Sequence, residues 1–205
     1  MPPTALLFLK IPRPGFVKTR LAKDLGDEVA CQVYRHLAEQ TLSQIPPDWP
    51  CHIYFTPADA QAEMEAWLGP QHHYFPQSEG DLGQRLSSAS KETFANGASS
   101  IILLGGDCPD IHPHHLEEAA QHLQKDTPVI GPAADGGYWL FGLPHHCPEV
   151  FKDISWSTPK VLPETLEILH QLDLPHTLLP TLEDVDDLAS WSRHSELKKF
   201  AINPL

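Results

Sequence analysis

The chain is poor in positive charge. It has 14 lysines and arginines against 27 aspartates and glutamates, for a net charge of -13, and its pI is near 5.3. That balance argues against nucleic acid as a partner, since nucleic-acid binders present a broad basic face. No apolar run is long enough to span a bilayer, and no basic segment precedes the short run in "MPPTALLFLK". The expectation is a cytoplasmic protein without a membrane span or secretory signal. The four cysteines (Cys31, Cys51, Cys108, Cys147) form no C-x-x-C pair, which fits reduced thiols rather than a disulfide framework. Also missing are G-x-G-x-x-G, the G-x-x-x-x-G-K phosphate loop and the G-x-S-x-G elbow. There is no internal repeat, and the 21 prolines are scattered rather than gathered into a linker. The 205 residues read as one domain, 1–205.

What the chain does have is alternation. "ALLFL" (5–9) is a short apolar run bounded by turn signals and predicts a buried strand. From Thr19, residues Leu21, Leu25, Val29, Val33 and Leu37 recur at four-residue spacing and predict one helix with an apolar stripe. Strands are expected at 51–57 and 72–77, with helices at 58–69 and 82–94. "SSIILLGGD" (99–107) is the clearest strand, and a helix over 112–125 follows it, with Pro113 near the start. "PVIGPA" and "GGYWLFGL" are two more apolar runs around "ADGG". A helix capped by Ser157 or Thr158, with Pro159 just inside, and a last helix over 187–200 complete the set. Strands alternating with helices predict a three-layer α/β/α sandwich around a mostly parallel sheet. Ligands in such sheets bind beyond the carboxyl ends of the strands. The loops carrying Lys10 to Arg20, Asp107 and Asp135 all fall at such ends.

Five of the scarce cations (Lys10, Arg13, Lys18, Arg20, Lys23) lie within residues 10–23, around "LKIPRPGFVKTRL". Cations at a helix start are unfavourable unless an anion is bound, so the loop reads as a phosphate cradle. Its residues include Pro14, Thr19 and Gly15, which lets the backbone approach closely. The alternative is a solvated charged turn. In "LLGGDCPD", Asp107 ends a buried strand after two glycines. A carboxylate there suits Mg²⁺ or Mn²⁺, which are held by one or two carboxylates plus substrate phosphates. Asp110 reads equally as a ligand or as a helix cap. Asp135, Gly136 and Gly137 read equally as a plain hairpin turn or as a loop facing a sugar or acceptor. In "SEGDLGQRL" (78–86), Asp81 and Gly83 precede a helix, and Arg85 in its first turn is again a cation awaiting an anion. Trp156, in "FKDISWST", is a candidate for core or for the site. The histidines at 72–73, 112–115 and 145–146 lack zinc-site spacing and read as solvated or capping residues.

Taken in order, "LKIPRPGFVKTRL", "GDLGQRL", "LLGGDCPD", "GPAADGGYWLFGL" and "DISWST" resemble the small glycosyltransferase-A-like transferases known as rSAM/selenodomain-associated, some tied to arsenosugar biosynthesis. That group is similar to the 2-phospho-L-lactate and molybdenum-cofactor guanylyltransferases. The resemblance covers residues 5–190 and is specific to fold and superfamily, not to substrate. It implies a nucleotide-diphospho-sugar transferase (GT-A, Rossmann-like) fold. It also implies a nucleotide or nucleotide-sugar donor, a small acceptor and a divalent cation, Mg²⁺ or Mn²⁺. On this reading Lys10, Pro14, Gly15, Lys18, Thr19, Arg20, Asp81 and Arg85 hold the nucleotide. Asp107 and Asp186 hold metal, and Asp107, Asp135 and Lys18 are catalytic. Asp135, Gly136, Gly137 and Trp156 line the acceptor or sugar side. Relatives end in a pattern like D-[IV]-D-T-P-E-D-L, whereas this chain reads "EDVDDLASW" (183–191), three residues shorter. Asp184 or Asp186, or neither, is then the second metal ligand. Glycosyl transfer, nucleotidyl transfer and non-catalytic nucleotide binding are the functions left open, and the sequence sets no oligomeric state.

Overall fold

Strand Thr4–Lys10 (β1) is buried along almost its whole length, so both of its faces must be covered. Ala5, Leu7 and Leu9 join one hydrophobic cluster and Leu6 joins another, with Phe8 packed against it, as a period of two dictates. The computed structural model describes residues 1–202 and builds a seven-stranded sheet around this strand. The other strands are Cys51–Thr56 (β2), His73–Pro76 (β3), Ile101–Leu104 (β4), Val129–Pro132 (β5), Tyr138–Leu143 (β6) and Thr177–Leu178 (β7). Their order is β3-β2-β1-β4-β6-β5-β7, and only β6 runs antiparallel to its neighbours. The expected mostly parallel α/β sandwich is what forms.

Helices Thr19–Leu25 (α1), Asp27–Gln44 (α2), Gln61–Leu68 (α3), Leu82–Ala95 (α4), Pro113–Leu123 (α5) and Val161–Gln171 (α6) fill the connections. Leu188–Arg193 (α7) and Lys199–Ile202 (α8) close the described chain. Side chains of α2, α3 and α5 cover one face of the sheet, and those of α4 and α6 cover the other. The strand order reverses between β1 and β4, which opens a crevice at their carboxyl ends.

Four local expectations need correction. The helix from Thr19 is two helices, because Gly26 adopts φ +85, which breaks the helical run. The apolar stripe survives the break: Leu21, Val29, Val33 and Leu37 still share one cluster, now with Val185, Trp191 and Leu197 from the end of the chain. The helix expected from Ser157 or Thr158 starts only at Val161, since Ser157 is left-handed at φ +62 and Lys160 is the N-cap. The expected last helix over 187–200 is three short turns, with a 3₁₀ segment at Ser195–Lys198 between α7 and α8. Asp110 does not cap α5; that helix starts from His112, whose N–H donates to Nδ1 of His115 (3.2 Å).

Gly106, just after β4, sets the approach of the strand end to α2. A Cβ there would lie 2.6 Å from Cδ2 of Leu9 and 3.3 Å from Cβ of Ala38, both buried. Gly106→Ala should therefore lower stability by about 1–3 kcal/mol through overpacking. An unchanged urea midpoint would show that this contact does not constrain the loop. Acid should act through a different set of groups. His36, His52, His72, His115 and His146 all have a pKa lowered, first by burial, from the ordinary 6.5. A depressed histidine contributes stability that is fully present above the unfolded value and is lost as pH falls through the folded value. In Asp184→Asn, which removes an opposing carboxyl held up to about 7, the urea midpoint should begin to drop once pH falls below about 6.5. A midpoint of that variant that holds down to the carboxylate range would contradict this.

Candidate functional site

A cleft of about 520 Å³ opens at the carboxyl end of β1. Its walls include Lys10, Lys18, Thr19, Arg20, Asp81, Arg85, Asp107 and Asp186. The fold thus gathers eight of the residues singled out in the sequence. Pro14 and Gly15 do not line the cleft; both are exposed on the loop, and Gly15 turns toward Asp27. Asp135, Gly136, Gly137 and Trp156 are also outside its lining.

The centre of the site is an ammonium held by two carboxylates. Lys18 Nζ lies 2.9 Å from Asp107 Oδ2 and 2.8 Å from Asp186 Oδ1. The Lys18 side chain is only 3% exposed, whereas those of Asp107 and Asp186 are 39% and 44% exposed. Lys18 reaches this position from a left-handed backbone, φ 47 and ψ 44, immediately before α1. The sequence reading put Lys18 on phosphate; here its charge is already engaged. Burial disfavours its ammonium, but the two aspartates outweigh burial and raise its pKa. Burial likewise pushes the Asp107 carboxyl up, and Lys18 beside it outweighs that, leaving it below the ordinary range.

Asp186 arrives with the segment before α7. Leu182 bridges in parallel to Ala133, and the Val185 N–H donates to the Asp107 carbonyl (3.1 Å). Asp184, in the same segment, is pushed up to about 7, first by burial and then by the charges of Asp107, Asp135 and Asp186, with Lys18 working the other way. Asp187 caps α7, its carboxylate accepting from the Ser190 N–H (2.8 Å).

The cationic wall is less engaged. Arg20 is 73% exposed and only 4.0 Å from Asp186 Oδ2. Lys10 is exposed on the cleft. Arg85 folds back, Nε donating to the Gly80 carbonyl (3.0 Å). Arg13 is outside the cleft, in an ion pair with Glu63. Asp81 also has a structural task, since it forms a capping box with Gln84 at the start of α4.

The "ADGG" segment forms the β5–β6 hairpin turn. Ala133 N–H donates to the Gly137 carbonyl (3.0 Å), and Asp135 Oδ1 accepts from the Gly137 N–H (2.9 Å). Gly136, at φ +92, packs so tightly that a Cβ would meet the Pro159 carbonyl at 2.5 Å. Trp156 packs against Gly83 and lies edge-on to Tyr138, with the ring centroids 6.3 Å apart.

Three supports escaped the sequence reading. Tyr34 OH, from α2, accepts from the Lys10 N–H (2.7 Å). Gln77 Nε2 donates to the carbonyls of Leu9 (3.2 Å) and Tyr54 (3.0 Å). Gln40 Nε2 donates to the Pro109 carbonyl (2.8 Å) in the loop after Asp107. Tyr34 and Gln40 look like ordinary helix residues in the sequence; only Gln77, at a strand end, falls where ligand edges lie.

Among the described residues, no three His, Cys, Asp or Glu side chains are already arranged to hold a metal ion. The donor chemistry nevertheless suits a hard cation. Asp107 and Asp186 converge on one cation-sized point, and Asp184 has more negative than positive charge around it. Substrate oxygens would have to complete the shell.

Residues 37–158 match the family described as "Uncharacterized protein conserved in bacteria (DUF2064)". No curated protein matches the sequence. The chain is similar to a solved protein from Desulfovibrio desulfuricans G20 described as a candidate nucleotide-diphospho-sugar transferase, at 33% identity and TM-score 0.87, covering 98% of both chains. It shares its fold with CMP:2-keto-3-deoxy-manno-octonic acid synthetase, solved with CTP, at 13% identity and TM-score 0.57, covering 94% of this chain and 96% of that one. It also shares it with glucosyl-3-phosphoglycerate synthase from Mycobacterium tuberculosis, solved with Mn²⁺, UDP and glucosyl-3-phosphoglycerate, at 11% identity and TM-score 0.53, covering 98% of this chain and 80% of that one. The family match spans more than half of the sequence and the Desulfovibrio relative nearly all of it, so the chain belongs to the DUF2064 family, on the nucleotide-diphospho-sugar transferase fold.

Proposed function

We propose that this chain is a divalent-cation-dependent transferase that uses a nucleotide-activated donor, transferring a sugar from a nucleotide sugar to a small acceptor. One observation carries the reading. The exposed cations Arg20 and Lys10 and the carboxylates Asp107 and Asp186 line a single cleft at the switch point of the sheet, with Arg20 4.0 Å from Asp186. Arg20, Lys10 and Arg85 would bind the donor's phosphates, with Thr19 and Asp81 beside them. Asp107, together with Asp186 or Asp184, would hold the cation, Mg²⁺ or Mn²⁺. A cation there supplies charge neutralisation for the diphosphate leaving group. Tyr34 and Gln77 fix the end of β1 against which the donor lies. Asp135, Gly136, Gly137 and Trp156 stand outside the cleft lining and would serve the acceptor or sugar side. The narrower kinship, with rSAM/selenodomain-associated transferases and guanylyltransferases, belongs to this reading.

Nucleotidyl transfer to a phosphorylated acceptor is the second reading, favoured by the surplus of cations. With Lys18 already neutralised, Lys10, Arg20 and Arg85 still line the cleft, which suits a triphosphate better than a diphosphate sugar.

A thermal-shift panel separates the readings. A ligand that binds only the folded state raises Tm by mass action. A Mn²⁺- or Mg²⁺-dependent shift with one nucleotide sugar supports glycosyl transfer, and a shift with a triphosphate alone supports nucleotidyl transfer. No shift with any nucleotide would sink both. Arg20→Ala should weaken nucleotide binding about tenfold, the loss of one charge-assisted hydrogen bond (about 1.5–3 kcal/mol). Asp107→Asn should lower turnover about 100-fold or more. Full activity in Asp107→Asn would remove Asp107 from the machinery.

A further inference from the structure

Lys18 is a cation of the cleft that is met by protein carboxylates rather than by solvent. Two partly exposed carboxylates converge on it within 2.9 Å, and its own side chain is almost wholly enclosed. Together they form a completed ion triad. A divalent cation held between Asp107 and Asp186 would share two carboxylates that each already give one oxygen to Lys18. An ammonium and a divalent cation cannot both occupy the space between two carboxylates, because their mutual repulsion in a half-buried site would exceed what the shared oxygens return.

Resting on the reading above, we propose that Lys18 is a resident counter-cation that holds the metal position in the nucleotide-free protein and yields it when donor phosphate arrives. The lysine stem is flexible and its ammonium is a compact point charge, so the same group can leave two carboxylates for phosphate oxygens without a change of fold. Arg20 and Lys10 line the same cleft as Lys18. The consequence is linkage: metal binds weakly by itself and strongly with nucleotide, and each raises the other's affinity by the same factor. A free metal ion then does not collect in an acidic protein lacking substrate.

The test is Mn²⁺ alone, titrated into the full chain, with free Mn²⁺ followed by its electron paramagnetic resonance signal. Lys18→Gln should bind Mn²⁺ at least tenfold tighter than wild type, and adding Asp107→Asn to it should abolish the gain. Arg20→Gln removes the same charge from the same cleft without vacating the space between the carboxylates, so its gain should be small. Equal gains in Lys18→Gln and Arg20→Gln would mean a general field effect and would overturn the proposal, as would an unchanged affinity in Lys18→Gln. Should Lys18→Gln fail to fold, wild-type protein decides. Lys18 should be protected from an amine-reactive reagent without Mn²⁺ and become labelled as Mn²⁺ loads, against exposed Lys91 as the reference. Protection that persists at saturating Mn²⁺ overturns the inference. The nucleotide reading stands or falls separately, on the thermal shifts of wild-type protein.

Discussion

The contact of Lys18 with Asp107 and Asp186 joins three segments that are far apart in the chain: the loop after β1, the end of β4 and the stretch before α7. An ammonium enclosed to this degree is costly unless its charge is met, and one carboxylate leaves part of that cost uncovered. The site is therefore assembled only when the end of the chain docks. Val185, fully buried, and Trp191 provide that docking by packing on Leu21 and Val33. The packing that orders α1 and α2 is thus the same packing that delivers Asp186 to Lys18.

This also sorts the scarce positive charge. Concentrating five cations within fourteen residues of an acidic chain suggested a single phosphate cradle, yet the fold divides them. Arg13 pairs with Glu63 away from the cleft, Lys18 neutralises aspartates, and Arg20 and Lys10 stay open to solvent on the cleft. A charge that is scarce in composition has been spent on the interior as well as on the ligand face.

The strands and the cleft edge were legible because their signals are local. The apolar runs at β1 and β4 fit buried parallel strands, and residues that follow such strands must emerge on one edge. What escaped the sequence depended on backbone geometry or on distant partners. Gly26 breaks a stripe whose periodicity runs straight through it, so the pattern alone predicts one helix. Ser157 reads as a cap, but its left-handed backbone delays α6 to Val161. Asp81 lines the cleft as expected, and the sequence did not show that its carboxylate also caps α4. Asp135 closes the hairpin through Gly137, the turn reading of its D-G-G sequence.

The shortened "EDVDDLASW" motif is the departure that raised a non-catalytic reading, and its geometry argues the other way. Leu182 pairs beside Ala133 and Val185 beside Asp107, so the segment runs extended across the sheet edge. In an extended chain successive side chains alternate. Val185 is fully buried in the α1–α2 cluster, while its neighbours Asp184 and Asp186 are half-buried and Asp186 reaches Lys18. Asp187 follows Asp186 directly and caps α7, so the helix begins at once after the second aspartate. Asp186, which meets Lys18, and Asp187, which caps α7, are thus consecutive, so the ion triad is tied directly to the helix that supports it.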